Sequence, residues 1–187
     1  MARGRKLPLS FFARDAQIVA RELLGTILVH CLADGTKLRA RIVETEAYLG
    51  PIDLASHASK GRTKRTEVMF GPPGRAYVYF IYGMHEMFNI VCGRQGNAHA
   101  VLIRAGEPMD DWEANLSGPG RLARAMQITR QHNHVRLTGP VLYVLDDGYR
   151  PAEIAKSKRI GVDYAKHWAE ELLRFYDAKS KAVSKGR

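Results

Sequence analysis

The chain has 187 residues, 45% of them hydrophobic, and its 29 lysines and arginines exceed its 19 acidic residues to give a formal net charge of +10. This size and composition predict a single domain over residues 1–187 with a sizeable core. No apolar run approaches the ~20 residues of a membrane span, and the first ten residues lack the apolar segment of a secretory signal. We therefore expect a cytoplasmic protein. Cys31 and Cys92 are too few for a disulfide framework and are expected to be buried.

The charge balance favours a polyanionic partner, with nucleic acid ahead of an anionic membrane surface. Part of the excess lies in a basic arm, residues 1–6, and a basic tail, residues 179–187, whose low hydrophobicity predicts disorder. Those termini could serve solubility alone. Basic segments inside the chain, at 60–65 and 120–130, still predict a surface for DNA or RNA.

The first half of the chain predicts a helix followed by a hairpin. Apolar residues recur at helical spacing over 15–24, with Asp15 as a cap and Gly25 as a stop. Two β-rich runs, 26–32 and 37–48, flank an Asp-Gly pair that is typical of a tight turn.

The second half predicts further paired strands with helices outside them. A long loop over about 50–66 leads to two strands around a turn that begins at Tyr82. The remaining predicted elements are a strand at 100–105, a helix at 118–128, a strand at 141–145 and a helix around 167–175. Together these elements predict a single α+β domain with a mostly antiparallel curved sheet, peripheral helices and a protruding β-hairpin.

The segment "RIVETEAY" carries the first chemical signal. Strand alternation would place Ile42, Glu44, Glu46 and Tyr48 on one face and Val43, Thr45 and Ala47 on the other. Glu46, Tyr48 and the later His57 could then form a pocket with an acid-base group and a stacking wall. Two alternatives stay open: glutamates exposed on a solvent face, or a metal site built from Glu44, Glu46, Asp53 and His57, for which no recognised ligand spacing exists.

Five segments together resemble one protein family. In order, they are "VETEAYLGPIDLASHA", "YVYFIYGMHEMFNIV", "AVLIRAGEP", "GPGRLARAMQI" and "RIGVDYA". They look like the successive motifs of the alkyladenine (3-methyladenine) DNA glycosylase family, and the resemblance runs from "LPLSFF" to "LRFY". It implies a DNA-repair enzyme that flips alkylated purines out of duplex DNA and hydrolyses the N-glycosidic bond.

The resemblance implies a role for each matched residue. Glu46 would be the general base that activates water, and Arg104 would help to hold that water, unless Arg104 serves only as an ion pair. Tyr48, His57 and Tyr79 would form the pocket for the flipped base, where aromatic faces favour cationic purines. Asn89 would filter against guanine, unless it is only a satisfied polar group at a strand edge.

Further positions would contact the DNA. Tyr82 would intercalate into the gap left by the flipped base, unless its ring folds back over the hairpin. Gly120 and Arg121, at a helix start, could receive a backbone phosphate. His132 and His134 fit no motif, are expected to be solvated loop residues and receive no role.

Hydrolysis of this kind implies no cofactor and no metal. The expected protein is a monofunctional, monomeric glycosylase that acts on double-stranded DNA containing damaged purines, leaves an abasic site, and has no membrane partner. A bacterial source would place it at the nucleoid. Two other classes stay open: a non-enzymatic nucleic-acid-binding module, and a metal-dependent nuclease that uses the carboxylates and histidine. The range of lesions beyond 3-methyladenine does not follow from the sequence.

Overall fold

Strands dominate the part of the chain that the computed structural model describes, which is residues 4–81 and 83–185. Their bounds are β1 Arg5–Lys6, β2 Ile27–Cys31, β3 Lys37–Leu49, β4 Ala76–Ile81, β5 His85–Cys92, β6 His99–Pro108, β7 Leu142–Asp146, β8 Ile154–Ser157 and β9 Arg174–Asp177. Within those described residues they form one sheet in the order β1-β7-β2-β3-β6-β5-β4, with β9 paired to β3 and β8. All the pairings are antiparallel, so the predicted α+β fold with a mostly antiparallel sheet is confirmed.

The helices are short and lie outside the sheet. They are α1 Leu9–Phe12, α2 Ala16–Glu22 and α3 Pro119–Ala125, with 3-10 segments at Gly50–Ile52, His57–Lys60, Glu67–Phe70, Arg130–His132 and Asp163–Ala169. The Asp15 carboxylate caps α2 by accepting a hydrogen bond from the Gln17 N–H at 2.8 Å, as the sequence predicts. Within the described residues, no helix has the length and apolar content of a membrane span.

Strand β3 lies at the centre of the sheet. It forms the predicted hairpin with β2 and pairs with β6 along its other edge. The pairing register shifts at Val43, which has no partner on β6, and shifts again after Glu44. This irregularity reverses the alternation, so Ile42 packs in the main core with Ala47, whereas Glu44 bonds to Arg104 instead. The prediction that Ile42 shares a face with Glu44 is therefore wrong.

The predicted hairpin near the middle of the chain is present. Strands β4 and β5 pair antiparallel, with Tyr77 opposite Asn89 and Tyr79 opposite Met87. Tyr77, Tyr79 and Ile81 alternate along β4 and share a face, and all three border the same cavity. Tyr82, the predicted intercalating residue, lies outside the described residues.

The helix predicted around residues 167–175 is wrong. A 3-10 segment ends at Ala169 and contains Lys166 in the left-handed region, at φ 54°, and the chain then enters strand β9. Phe175 packs into the core, and β9 pairs with the middle of β3. Sheet pairing and burial therefore override the local helical preference of this segment.

The described parts of the two basic termini are ordered, contrary to the prediction of disorder. Arg5 and Lys6 form β1 against β7. In the tail, the Ser180 hydroxyl donates to Glu107 and Ser184 is buried, because both find partners in the sheet. Residues 1–3, 186 and 187 lie outside the described residues. Of the two cysteines expected to be buried, Cys92 is buried and Cys31 is half-buried.

Candidate active site

A cavity of about 770 Å³ opens on one face of the sheet. Strands β3 to β6, the loop before His57, the start of α3 and the segment 159–164 supply its walls. It brings together most of the side chains predicted for the site, which are Tyr48, His57, Tyr79, Asn89, Arg104, Gly120 and Arg121. This volume lies within the range of small-molecule sites, roughly 300–1,000 Å³.

Glu46 lies beside this cavity and is fully buried. Its Oε2 accepts a hydrogen bond from the Tyr48 hydroxyl at 2.9 Å, and its Oε1 accepts one from the Ile160 N–H at 2.8 Å. Arg104 Nη1 lies 3.3 Å from the same Oε1. Burial, and then the charge of Glu46, raise the pKa of Tyr48, so its hydroxyl stays protonated as a donor. A pair of solvent-exposed glutamates is therefore excluded.

Glu44 forms a second buried carboxylate next to the first. Its Oε1 lies 3.0 Å from Arg104 Nε and 2.6 Å from Arg174 Nε. Ser184 donates to Glu44 through both its N–H and its hydroxyl. Burial opposes the charge on Arg104, but Glu46 and then Glu44 outweigh it and raise the Arg104 pKa. Arg104 is therefore an ion-pair partner of both glutamates, and it also reaches the cavity.

Aromatic side chains form another part of the cavity lining. The rings of His57 and Tyr79 meet edge to face with centroids 4.6 Å apart, and Tyr77 lies 5.3 Å from Tyr79. Nδ1 of His57 lies 2.8 Å from the Tyr77 hydroxyl. Burial, and then the charge of Arg65, lower the pKa of His57 to about 4, so its ring is neutral at physiological pH.

Two guanidinium groups lie over rings of this pocket. Arg159 lies 4.8 Å from the Tyr48 ring centroid, and Arg65 lies 5.1 Å from that of Tyr79. Arg159 is held by Asp53 through two contacts of 2.5 and 2.9 Å, and both side chains are fully buried. Asp53 and Arg159 therefore fix the segment whose Ile160 N–H donates to Glu46.

Asn89 lies on β5 between β4 and β6, so it is internal to the sheet and not at an edge. Its side chain is buried, donates from Nδ2 to the Tyr77 carbonyl at 3.2 Å and borders the cavity. The side chain is thus hydrogen-bonded within the sheet and also lines the cavity.

The start of α3 forms another part of the rim. A Cβ at Gly120 would come within 3.0 Å of the His85 ring, so the absence of a side chain permits this close approach. Arg121 is exposed and donates from Nη1 to the Ser117 carbonyl at 3.2 Å.

Of the two histidines without an assigned role, His134 is exposed, whereas His132 is half-buried and structural. His132 Nδ1 accepts a hydrogen bond from the Thr129 N–H, and its ring meets His30 edge to face at 4.5 Å. The expectation of a solvated His132 is therefore wrong. Across residues 4–81 and 83–185, no three His, Cys, Asp or Glu side chains are grouped to hold a metal ion.

The sequence did not predict several hydrogen-bond and ion-pair partners around Glu44 and Glu46. Arg159 and the Ile160 N–H lie more than 100 positions from Glu46, at separations of 113 and 114 residues in the sequence numbering. Ser184 is 140 positions from Glu44. Glu44 itself was visible in the "ETE" pattern. Arg159 and Ile160 open the "RIGVDYA" segment, which gave no sign of their contacts, and nothing local marked Ser184.

Comparisons with known proteins agree with this arrangement. The sequence pattern of the methylpurine-DNA glycosylase family matches residues 10–181. The chain is 52% identical over 184 residues to a protein of Myxococcus xanthus (strain DK1622), covering 96% of this chain and 94% of that protein. A protein of Legionella pneumophila (strain Lens) is 50% identical, with 97% and 99% covered. Both carry the name "Putative 3-methyladenine DNA glycosylase".

These similarities identify an enzyme of DNA repair. Its structure places a buried carboxylate beside an aromatic pocket. The chain belongs to the methylpurine-DNA glycosylase family. The family resemblance and the enzyme class expected from the motifs are confirmed.

Proposed function

We propose that the protein flips alkylated purines, 3-methyladenine and related lesions, out of duplex DNA and hydrolyses the N-glycosidic bond. The product is free base and an abasic site in an intact strand. The observation that carries the proposal is the buried Glu46, fixed by Tyr48, Ile160 and Arg104 at the edge of a base-sized aromatic cavity. A carboxylate held in one position beside the base pocket is a candidate general base.

Glu46 acts as the general base. Water attacks the sugar carbon C1′ and loses its proton to Glu46, while the bond from C1′ to the base nitrogen breaks and its electron pair goes to the base. Alkylation makes the purine a good leaving group, so a positioned base that contributes about 10²- to 10⁴-fold is a substantial share of the catalysis. Arg104, next to Glu46, orients the water.

The extruded base enters the aromatic cavity. Tyr48, His57 and Tyr79 supply faces and edges for stacking, with His57 neutral because of its lowered pKa. Asn89 borders the same space and filters against the exocyclic amino group of guanine. Extrusion costs a few kcal/mol and costs least where damage has weakened the base pair, which adds selectivity.

The DNA lies across the cavity, whose lining includes Arg121 and Lys185. The net charge of +10 supplies phosphate attraction. Tyr82 intercalates where the base has left, and Gly120 and Arg121 at the cavity rim contact the backbone. The protein works as a monomer on double-stranded DNA, in the cytoplasm at the nucleoid, and needs neither metal nor organic cofactor.

The proposed enzyme is monofunctional because water, and not an amine, attacks the sugar. Lys185 lines the cavity and carries an amine that could act as such a nucleophile. An amine nucleophile would form a Schiff base with C1′, which borohydride traps as a covalent protein–DNA adduct. We expect no such adduct with the abasic product.

The test is incubation of the protein with methylated duplex DNA in the presence of a chelator, with free base and strand breaks assayed separately. Free 3-methyladenine with intact strands is the expected result. A non-enzymatic binding module would bind duplex containing an abasic-site analogue and release no base. A metal-dependent nuclease would nick the strand and stop in chelator, and either result would overturn the proposal.

A further inference from the structure

The C-terminal segment, residues 180–184, reaches the buried cluster that Glu44, Glu46 and Arg104 form. Ser184 is only 7% exposed, although it lies near the end of a strongly basic tail. Its N–H donates to Glu44 Oε2 at 2.7 Å and its hydroxyl donates to Glu44 Oε1 at 2.8 Å. Its hydroxyl oxygen also accepts a hydrogen bond from Arg104 Nη2 at 3.4 Å. Ser184 therefore contacts both charged side chains next to Glu46, which are Glu44 and Arg104.

Several contacts tie the segment in place before it reaches Ser184. The Ser180 hydroxyl donates to Glu107 Oε1 on β6 at 2.5 Å, and the Ser117 hydroxyl donates to the Val183 carbonyl at 3.3 Å. Arg174 Nη2 donates to the Ser184 carbonyl at 3.0 Å. The segment thus reaches Glu44 by a defined route along the sheet.

Glu44 depends on this segment for half of its hydrogen bonding. Its Oε1 accepts hydrogen bonds from Arg104, Arg174 and the Ser184 hydroxyl. Within the described chain, its Oε2 accepts one from the Ser184 N–H. A buried carboxylate oxygen without a donor is costly. Without Ser184, the Glu44 carboxylate would turn to satisfy Oε2 and would draw on the guanidinium that also serves Glu46.

We propose that Ser184 is a positioning residue for the glycosylase reaction. It holds Glu44 so that Arg104 keeps its contact with Glu46 and orients the attacking water. This inference rests on the proposed function. It adds that the segment 180–184 completes the active site, although Ser184 touches neither the base nor the sugar.

Single-turnover base release with saturating enzyme is the measurement. Ser184→Ala removes the hydroxyl bond, and Ser184→Pro also removes the N–H donor while keeping the length of the tail. Because a hydrogen bond to a charged group is worth about 1.5–3 kcal/mol, we expect losses of about tenfold for the first variant and about a hundredfold for the second. Affinity for duplex with an abasic-site analogue should stay unchanged, and Ser184→Thr should recover most of the rate.

Ser180→Ala is the matched control, because Ser180 is a tail serine whose hydroxyl also binds a carboxylate, that of Glu107, outside the catalytic cluster. Because Ser180→Ala loosens an anchor of the segment and leaves both Ser184 donors to Glu44 intact, its rate should fall by less than that of Ser184→Ala. Equal rates for Ser184→Ala and Ser180→Ala would overturn the inference, and thermal unfolding would show whether either variant is misfolded.

A second readout separates this inference from the proposed function. The ¹H–¹⁵N signal of Arg104 Nε should shift further in Ser184→Ala than in Ser180→Ala, whether or not the wild type releases base. An unchanged Arg104 signal in Ser184→Ala would contradict the positioning role. A wild type that releases no base would instead contradict the proposed function.

Discussion

The guanidinium of Arg104 lies between two buried carboxylates, with Nε 3.0 Å from Glu44 and Nη1 3.3 Å from Glu46. Neither glutamate is exposed to solvent. One side chain thus compensates the charge of the proposed catalytic base, Glu46, and of the neighbouring carboxylate of Glu44. Stability and activity are therefore coupled at Arg104.

Arg104→Ala should lower the free energy of unfolding by about 3–5 kcal/mol, because it leaves two buried carboxylates short of a cation. Base release should be lost as well. Urea denaturation followed by circular dichroism gives the free energy. Arg150→Ala is the control, since Arg150 pairs with Asp146 at the surface and such pairs contribute about 0–1 kcal/mol. Equal losses in the two variants would refute the argument.

The His57 ring should stay neutral through most of the acidic range. Burial and, second, the charge of Arg65 lower its pKa to about 4, below the ordinary value of about 6.5. Between these values the unfolded chain binds the additional proton, so stability falls as the pH drops from about 6.5 towards 4. NMR titration of the ring should show that Arg65→Ala raises the pKa.

Arg62→Ala, an exposed arginine in the same loop, should leave the His57 titration in place. His57→Gln should remove this part of the acid destabilisation. A His57 pKa near 6.5 in the wild type would mean that the pocket is wetter than its packing indicates.

Asn89→Ala should relax the discrimination against guanine-type bases. The side chain is held by the Tyr77 carbonyl at the cavity wall, and its loss opens space for an exocyclic amino group. We expect the ratio of guanine-type to adenine-type excision to rise about tenfold, the scale of one pocket contact. Chromatography of bases released from mixed methylated DNA gives the ratio. If Asn89→Ala behaves like Asn97→Ala, a change in an exposed loop, the filter lies elsewhere.

The local elements of this fold follow from the sequence wherever pattern and packing agree. The α2 helix, the β2–β3 hairpin and the β4–β5 pair all form where turn residues and periodicity place them. The failures have a common physical origin. The 167–175 region and the tail gain their structure from β3 and β6, which are distant in sequence.

In the site too, the residues within motifs could be predicted from the sequence, whereas contacts between distant segments could not. The motifs located Tyr48, His57, Tyr79, Asn89 and Arg104, and the structure brings them to one cavity. The motifs could not show that the Ile160 N–H binds Glu46 or that Ser184 binds Glu44, because one of those donors is a backbone group and the other comes from a basic tail.

Tyr82→Ala should reduce the population of flipped base. If the ring fills the vacated gap, its loss removes about 1–3 kcal/mol of stacking, and lesions that still pair well should suffer most. Fluorescence of ethenoadenine in duplex DNA follows the flipped population. Tyr82→Phe keeps the ring and should retain flipping. Equal fluorescence for wild type and Tyr82→Ala, at unchanged thermal stability, would mean that Tyr82 is not a wedge.

The most direct test of the catalytic account is single-turnover release of 3-methyladenine by Glu46→Gln. The amide keeps the shape of the side chain but cannot take a proton from water. Release should fall by about 10²- to 10⁴-fold, while affinity for duplex with an abasic-site analogue is retained. Glu67→Gln, at an exposed glutamate, should behave like the wild type. Base release by Glu46→Gln at a rate near that of Glu67→Gln would contradict the assignment of Glu46 as the base.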